Sequence, residues 1–366
     1  MSTIHATLGG FLLKKTIFLL IATILLASTA LLGCSKGSST KTSTETKTST
    51  EKITLKLASP APENHVASRA LLEPFAKKVN EYTNGQVTIQ IYPNSQLGPA
   101  PDFYNMLNSG ITDIAVGGPS DPGHMPLSSS YTLPGAAPNS EVATKSYWKT
   151  LQNKNSQVYK TDFKNNGLIP IAAQVGPSSE LVFANKEVSK VNDLKGLKLH
   201  GFKGGPELTI KALGATPVAL EIPEVYISFD RGTVDGGIIG LPSVQPLKIN
   251  EVAKYFTTNL NIAPLVFNLA MSEKKFNSLP KNVQDAIIKA GNEVTNSIGA
   301  TVDKEVSDTK TQLTNKGMKP ITFSDAELIE MKKKLDPVWK GWEKTYESKG
   351  STAAIKDMEE AVTSEK

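Results

Sequence analysis

A regular alternation of strand and helix patterns is the feature that most restricts what this chain can fold into. Residues 53–57 and 87–91 alternate apolar with polar side chains, as half-buried strands do, and residues 111–116 form a third strand pattern. Between the strands, apolar residues recur at helical spacing, and Asn84-Gly85 ends the first helix. This β-α-β-α-β order predicts a mostly parallel sheet that is covered by helices.

The same alternation returns in the second half of the chain. Strand patterns at 197–199, 216–220 and 234–239 are separated by helical patterns, and a glycine-rich stretch follows the first of them. Two such α/β units, with glycine-rich loops at strand ends, predict two lobes and a cleft in which small molecules bind. Farther on, apolar residues at steps of four or seven predict one long amphipathic helix: Val283, Ile287, Val294, Ile298, Val302 and Val306.

The N-terminus has the layout of an export signal. Residues 1–33 contain Lys14 and Lys15 and no acidic residue, and the lysines precede an apolar run shorter than the roughly 20 residues of a membrane span. The run leads to Leu31-Leu32-Gly33-Cys34, which resembles the lipobox of bacterial lipoproteins. That resemblance implies that a signal peptide, 1–33, is cleaved before Cys34, whose thiol then carries a lipid. The alternative is an uncleaved anchor with an incidental cysteine.

Residues 34–52 are predicted to be a lipid anchor and a flexible tether. Cys34 is the single cysteine of the chain, which excludes a disulfide framework. The residues after it are almost wholly Ser, Thr, Lys, Gly and Glu, so this segment cannot form a core. The formal net charge of the 366 residues is +5. The leader contributes two lysines, and the tether contributes four lysines and two glutamates, so residues 53–366 carry a net charge of +1. A nearly neutral body argues against a nucleic-acid partner. The anchor predicts an extracytoplasmic location, in the periplasm or on the outer face of the cell membrane.

Four segments of the body are similar to the motifs of one transport family. In chain order they are residues 92–98 (Tyr-Pro-Asn-Ser-Gln-Leu-Gly), 107–115 (Leu-Asn-Ser-Gly-Ile-Thr-Asp-Ile-Ala), 193–199 (Asp-Leu-Lys-Gly-Leu-Lys-Leu) and 232–236 (Gly-Thr-Val-Asp-Gly). Together they resemble the solute-binding proteins of TRAP transporters, the tripartite ATP-independent periplasmic type. The resemblance covers nearly the whole body.

This resemblance implies a periplasmic-binding-protein-like α/β fold, with two lobes, a ligand cleft between them and a long connecting helix. It implies that lobe I comprises residues 53–175 plus 265–304, and lobe II residues 176–264 plus 305–366. The implied function is capture of a small organic solute by lobe closure and its delivery to TRAP membrane permease subunits. No cofactor and no chemical reaction are implied.

Three positions depart from the family's pattern in the pocket. The Leu-Lys-Gly segment of the family usually continues to an arginine that grips the ligand carboxylate through two hydrogen bonds, and here that position is His200. After Val-Asp-Gly, many members have an asparagine facing the ligand, and the matching residue here is Ile239. The common arginine near the start of the second lobe has no match in residues 176–180. These departures put a typical organic-acid ligand in doubt.

Two ligand classes therefore remain open at this stage. Lys203, in the loop after His200, could anchor a carboxylate as a point charge, although it would recognise that group with less directionality than arginine. Otherwise the ligand is neutral or more apolar. It would then be held by an apolar wall with a few hydrogen bonds from the residues Phe202, Ile239, Leu241, Gln174 and Ser243.

Loops that follow the parallel strands supply further candidates. Asn64 and His65 follow the first strand, and Gly118 and Ser120 follow the third, so all four are expected to face the cleft. For Asn64 the alternative is a helix cap.

Other functional classes find little support in the sequence. The body contains His65, His124 and His200, with no His-x-x-x-His pair for a metal and no Gly-x-Ser-x-Gly nucleophile elbow, so an enzyme is not predicted. The alternatives to a TRAP receptor are a receptor for an ABC importer, a ligand sensor for a membrane kinase and a non-binding structural lipoprotein.

Overall fold

The structure is a computed structural model that describes residues 51–118, 123–177 and 179–366. The predictions for the signal peptide, the lipidated Cys34, most of the tether and the cleft residue Ser120 lie outside these described residues. The described strands are β1 Ile53–Ala58, β2 Val87–Tyr92, β3 Ile114–Gly117, β4 Leu168–Val175, β5 Glu180–Phe183, β6 Lys198–His200, β7 Thr216–Val218, β8 Gly236–Ile239, β9 Tyr255–Thr257, β10 Val266–Ser272 and β11 Lys319–Ile321.

Helices connect and cover these strands. A π-helical turn, Ser68–Leu72, leads directly into the first α-helix, and a 3-10 turn, Leu127–Thr132, lies between β3 and the third. The described α-helices are α1 Glu73–Tyr82, α2 Phe103–Ser109, α3 Ser140–Gln152, α4 Gly205–Ala212, α5 Val225–Asp230, α6 Leu241–Val244, α7 Glu273–Ser278, α8 Lys281–Asn315, α9 Asp325–Thr345 and α10 Ser351–Ser364.

The strands form two mixed sheets, one in each lobe of the predicted two-lobed α/β fold. The first has the order β2-β1-β3-β10-β4, and the second has the order β11-β9-β5-β8-β6-β7. In each sheet all strands but one run in the same direction. The reversed strands are β10 and β5, and each is the first strand that the chain enters after crossing from the other sheet. The predicted parallel character therefore holds except at these two strands; β11, which the chain enters from the other sheet through the long helix, is parallel to β9.

The two sheets are joined by chain segments that lie side by side. The outgoing segment follows β4 and the returning segment precedes β10. Their backbones are paired, since Ser179 and Ile262 exchange hydrogen bonds of 2.7 and 2.9 Å, and the amide of Gly176 donates to the carbonyl of Leu265 over 2.6 Å. Such a narrow, paired connection is the arrangement about which two lobes can hinge.

The predicted long helix is α8, and it contacts both parts of the molecule. Its 35 residues span roughly 50 Å at 1.5 Å per residue. It packs against β4 and against helices α1 and α3 beside the first sheet, and against α6 and β11 of the second. The apolar residues that predicted it, including Val283 and Ile298, are buried along its inner face.

The C-terminal helices divide between the two parts of the fold. Helix α9 packs against α4, beside the second sheet, whereas the last helix, α10, packs against α3 and the 127–132 turn beside the first. The predicted assignment of residues 305–366 to lobe II therefore differs from the observed packing at its end. The cause is an apolar face of α10, with Ala354 and Met358, that is buried in the core shared with α3.

Candidate functional site

A cavity of about 20 Å³ lies between the two sheets, at the ends toward which their parallel strands point. This volume holds about one water molecule, so the lobes must move apart to admit a larger ligand. Its walls come from loops after β1, β3, β6 and β7 and from the start of β10, as expected for α/β sheets. The described lining residues are Pro60, Ala100, Val116, Gly117, Gly118, Thr132, Phe202, Pro206, Glu221, Ile222, Leu265, Val266 and Phe267.

The wall from the first sheet is built by close approach of two strand ends. Gly118 follows β3 and lies against the start of β10, where a Cβ on Gly118 would overlap with the carbonyl oxygen of Val266. The glycine therefore lets the chain after β3 run directly over β10. This contact brings Val116 and Phe267 into one apolar surface of the cavity.

The turn that carries Thr132 into the cavity is held by a buried carboxylate. Asp162 accepts hydrogen bonds from the backbone amides of Leu127 and Ser128, at 3.1 and 2.6 Å, and from the hydroxyl of Ser128 at 2.7 Å. From α9, the indole of Trp342 donates to the hydroxyl of Ser129 over 2.8 Å. The turn is thus fixed from two directions.

The wall from the second sheet meets this turn closely. Phe202 and Pro206 line the cavity at the start of α4, and Ile222 lines it after β7. At the first residue of α4, a Cβ on Gly205 would overlap with the backbone and hydroxyl of Thr132. The two sides of the cleft are therefore in contact here, without space for even a methyl group.

The charge in the cavity wall is negative. Glu221 lines the cavity, and its partial burial raises its pKa; the nearby Glu224 raises it further, while Lys203 acts in the opposite direction. Lys203 itself is exposed and does not line the cavity. The predicted point-charge anchor is thus in the neighbourhood of the site but outside its wall.

His200 lies behind the wall. It is buried with 2% exposure, and its ring meets the cavity residue Phe202 edge to face with centroids 5.0 Å apart. Burial lowers the pKa of His200 to about 4, although a contact of Nδ1 with the carbonyl of Val218 at 3.4 Å opposes the shift. The imidazole is therefore neutral at neutral pH and does not replace the charge of an arginine.

His65 and Ser243 meet across the cleft. His65 follows β1, Ser243 lies on α6 after β8, and Nε2 of the histidine is 2.8 Å from the serine hydroxyl. The pair is buried, and it lies apart from the cavity lining. Both residues were predicted to lie at the cleft. In the structure they form a hydrogen bond with each other.

The remaining predicted residues have different surroundings. Ile239 and Leu241 belong to the apolar core around β8, rather than to the cavity wall. Gln174 is buried with 1% exposure, and its Oε1 accepts no hydrogen bond within the described part of the chain. Asn64 is exposed at a surface groove, where its carbonyl oxygen accepts a hydrogen bond from Arg69. Of the candidates that the structure describes, Gly118 and Phe202 line the cavity.

No arginine lines the cavity among the described residues. The sequence has two arginines, Arg69 and Arg231. The guanidinium of Arg69 pairs with the carboxylate of Glu305 on α8 at 2.9 Å, and Arg231 is exposed after α5. The absence of arginine that the sequence indicates at two aligned positions thus extends to the whole described wall.

Sequence reasoning missed the residues after β7. Glu221 and Ile222 were not among the predicted site residues, although they follow a parallel strand in the same way as His65 follows β1. The rule that ligands bind beyond the carboxyl ends of parallel strands would have found them. Phe267 could not be found in that way, because β10 is reversed and contributes its first residues to the cavity.

Two features of other functional classes are absent from residues 51–118, 123–177 and 179–366. No helix there combines the length and the apolar character that a membrane crossing requires. No group of three or more His, Cys, Asp or Glu side chains in these ranges is arranged to hold a metal ion.

The two lobes, the long connecting helix and the cavity between the lobes define a periplasmic-binding-protein-like solute receptor. Residues 57–346 match the family of bacterial extracellular solute-binding proteins, family 7, named DctP. The chain therefore belongs to this family, which is extracytoplasmic. The predicted TRAP receptor is confirmed, over the ABC-receptor alternative.

Relatives and solved structures agree with this assignment. A solute-binding protein of Albidiferax ferrireducens is 26% identical over 258 residues, which are 70% of this chain and 75% of the relative. A TRAP solute-binding protein of Rhodoferax ferrireducens, crystallised with copurified benzoate, has a TM-score of 0.78 and 21% identity, covering 86% of this chain and 98% of its own. One from an unidentified marine microbe, specific for aromatic acids and bound to 3-hydroxybenzoate, has a TM-score of 0.77 and 24% identity, covering 86% and 99%.

Proposed function

We propose that this receptor captures a small, largely apolar organic ligand in the cavity between its lobes and holds it without an arginine–carboxylate pair. The observation that carries the proposal is the composition of the wall. Apolar side chains of Val116, Phe202, Ile222 and Phe267 face the cavity, and no lysine or arginine lines it among the described residues. Burial of apolar surface then supplies most of the affinity, at about 25 cal/mol for each Å² removed from water.

The ligands of similar folds support a ring-sized ligand. The cavity of about 20 Å³ is the space between the lobes in this structure, and hinge opening at the paired crossing segments would enlarge it. Two structures of this fold contain benzoate and 3-hydroxybenzoate. A polyhydroxylated ligand fits the wall poorly, because each hydroxyl that it buried without a partner would cost about 1–3 kcal/mol.

The proposed receptor works at a membrane. Lobe I is formed around the first sheet and lobe II around the second, and hinge motion at the paired crossing segments closes them on the ligand. The leader and the Leu-Leu-Gly-Cys sequence support anchoring through a lipid on Cys34. The closed form would then deliver its ligand to the TRAP permease subunits.

A thermal-shift panel tests the ligand class. The panel contains ring compounds, such as benzyl alcohol and benzoate, and the sugar acid galactonate. Some of the ring compounds are expected to raise the melting temperature more than galactonate does, since binding to the folded state stabilises it. Lys203→Ala is expected to change the affinity of such a ligand by less than about threefold, because the ammonium group lies outside the wall. Tight binding of galactonate alone, or loss of all binding in Lys203→Ala, would reject the proposal.

A further inference from the structure

The cavity of this receptor carries charge of one sign only. Among its described lining residues, Glu221 has the one ionisable side chain, and Thr132 is the other residue with a polar side chain. The hydroxyl of Thr132 already donates to the carbonyl of Ser129 over 2.7 Å. The oxygen of that hydroxyl can still accept a hydrogen bond, but Glu221 is the group in this wall that offers a charge to a polar part of the ligand.

The surroundings of Glu221 keep it available for a ligand. Within the described chain it forms no ion pair, although it also caps the turn Ile222–Glu224, where its amide donates to the carboxylate of Glu224 over 2.8 Å. A second carboxylate, Glu224, lies close enough to raise the pKa of Glu221 further. The charged side chains that act on Glu221 are thus one further carboxylate, Glu224, and one ammonium group, Lys203.

We propose that Glu221 anchors the ligand and that the ligand is a small, largely apolar molecule bearing a protonated amine. This inference rests on the proposed function, since it takes this cavity as the ligand site. An ammonium group at Glu221 would donate a charge-assisted hydrogen bond, which is about twice as strong as a neutral one. The apolar body would lie against Val116, Ile222 and Phe267.

The same arrangement selects against anions. A ligand carboxylate near Glu221 would meet a like charge inside a partly buried wall, where screening by water is weak. Discrimination of this kind arises from repulsion as much as from attraction. The replacement of the family's arginine by the neutral, buried His200 therefore fits a change in the charge of the ligand, and not only a loss of affinity.

Three compounds that share one ring test this inference: benzylamine, benzyl alcohol and benzoate. Calorimetry with the purified protein at pH 7.5 is expected to rank benzylamine first and benzoate last. Glu221→Gln is expected to weaken benzylamine at least tenfold, to leave benzyl alcohol within about threefold and to strengthen benzoate. Glu187→Gln is the matched control, because Glu187 is exposed and outside the cavity wall while the change in net charge is the same.

The outcomes separate this inference from the proposed function. Benzyl alcohol binding as tightly as benzylamine, or an unchanged benzylamine affinity in Glu221→Gln, would overturn the role of Glu221 and leave the apolar cavity in place. Benzoate as the tightest of the three would overturn the charge assignment in the same way. Absence of binding for all three compounds would overturn both proposals. The ranking by the unmodified protein is itself decisive, so the test does not depend on the folding of the variant.

Discussion

Nε2 of His65 lies 2.8 Å from the hydroxyl oxygen of Ser243, and this contact joins the two sides of the cleft. Nδ1 of the same ring accepts a hydrogen bond from the amide of Ala67 over 3.1 Å, so the hydrogen of the neutral imidazole is on Nε2. The histidine therefore donates and Ser243 accepts. A buried, directional contact of this kind favours one relative position of the two sides.

Removing the acceptor is expected to weaken closure. Ser243→Ala leaves the buried N–H of His65 without a partner, which costs about 1–3 kcal/mol in the closed state. Because an open cleft exposes the same N–H to water, the expected result is a larger radius of gyration by small-angle scattering of the ligand-free protein. Ser278→Ala is the control, since Ser278 is exposed at the end of α7. Indistinguishable scattering curves for Ser243→Ala and the unmodified protein would contradict a role of the His65–Ser243 hydrogen bond in closure.

Two buried histidines are expected to make stability depend on pH. Burial lowers the pKa of His65 to about 4, helped by the nearby Arg69, and burial lowers that of His200 to about 4. Since the unfolded chain takes up these protons near pH 6.5, their contribution is fully present above that pH and is lost as the pH falls toward 4.

The loss is expected to reach about 3 kcal/mol for each histidine, measured as the free energy of unfolding in urea between pH 7 and 4. His200→Gln is expected to flatten part of this dependence, because the glutamine side chain does not titrate. An equally steep dependence in the double variant His65→Gln/His200→Gln would show that other groups are responsible.

The single cysteine is expected to determine where the protein is found. Cys34→Ser removes the thiol that would carry the lipid, so the protein is expected in the soluble extracytoplasmic fraction instead of the membrane fraction. Cell fractionation with immunoblotting measures this distribution, and mass spectrometry of the N-terminal peptide checks the lipid. Ser35→Ala, next to the cysteine, is the control. Membrane retention of Cys34→Ser would contradict lipid anchoring.

The fold could be predicted where local patterns carry the signal. Strands β1 and β2 and the long helix α8 follow from alternation or helical spacing of apolar residues. Strand β10 and helix α10 were not predicted, because their places depend on partners far away in the chain. β10 lies between β3 and β4, and α10 returns to α3. The buried residues of α10 do recur at helical spacing, but neither that pattern nor the sequence of β10 indicates which distant element is the partner.

The site was predictable in part for a similar reason. The substitution at His200 was visible in the sequence, but its burial behind Phe202 depends on packing. Ile239 and Leu241 were candidates for an apolar wall of the site, but in the structure their side chains lie in the apolar core. A position at the end of a strand does not by itself determine the direction of its side chain. An anchor role for Lys203 was one of two alternatives that the sequence left open, and only the structure shows that a carboxylate, Glu221, lines the cavity near it.

The contact between Gly205 and Thr132 leads to a prediction about the closed state. Gly205 is the first residue of α4, in a backbone conformation that alanine also adopts, and a Cβ there would overlap with Thr132 across the cleft. Gly205→Ala is therefore expected to hold the lobes apart, with a larger radius of gyration and a loss of ligand affinity of about tenfold or more. The free energy of unfolding should change by less than about 1 kcal/mol, because alanine is the better helix former.

Gly341→Ala is the matched control, since it makes the same substitution within α9 at a position where nothing lies within 4 Å of the new methyl group. It is expected to raise stability slightly and to leave scattering unchanged. If Gly205→Ala also left the radius of gyration and ligand affinity unchanged, the turn at Thr132 would have to move aside. Such movement conflicts with the hydrogen bonds that Asp162 and Trp342 make to it. Comparison of the two glycine variants therefore tests whether the turn at Thr132 limits how closely the two lobes can approach each other.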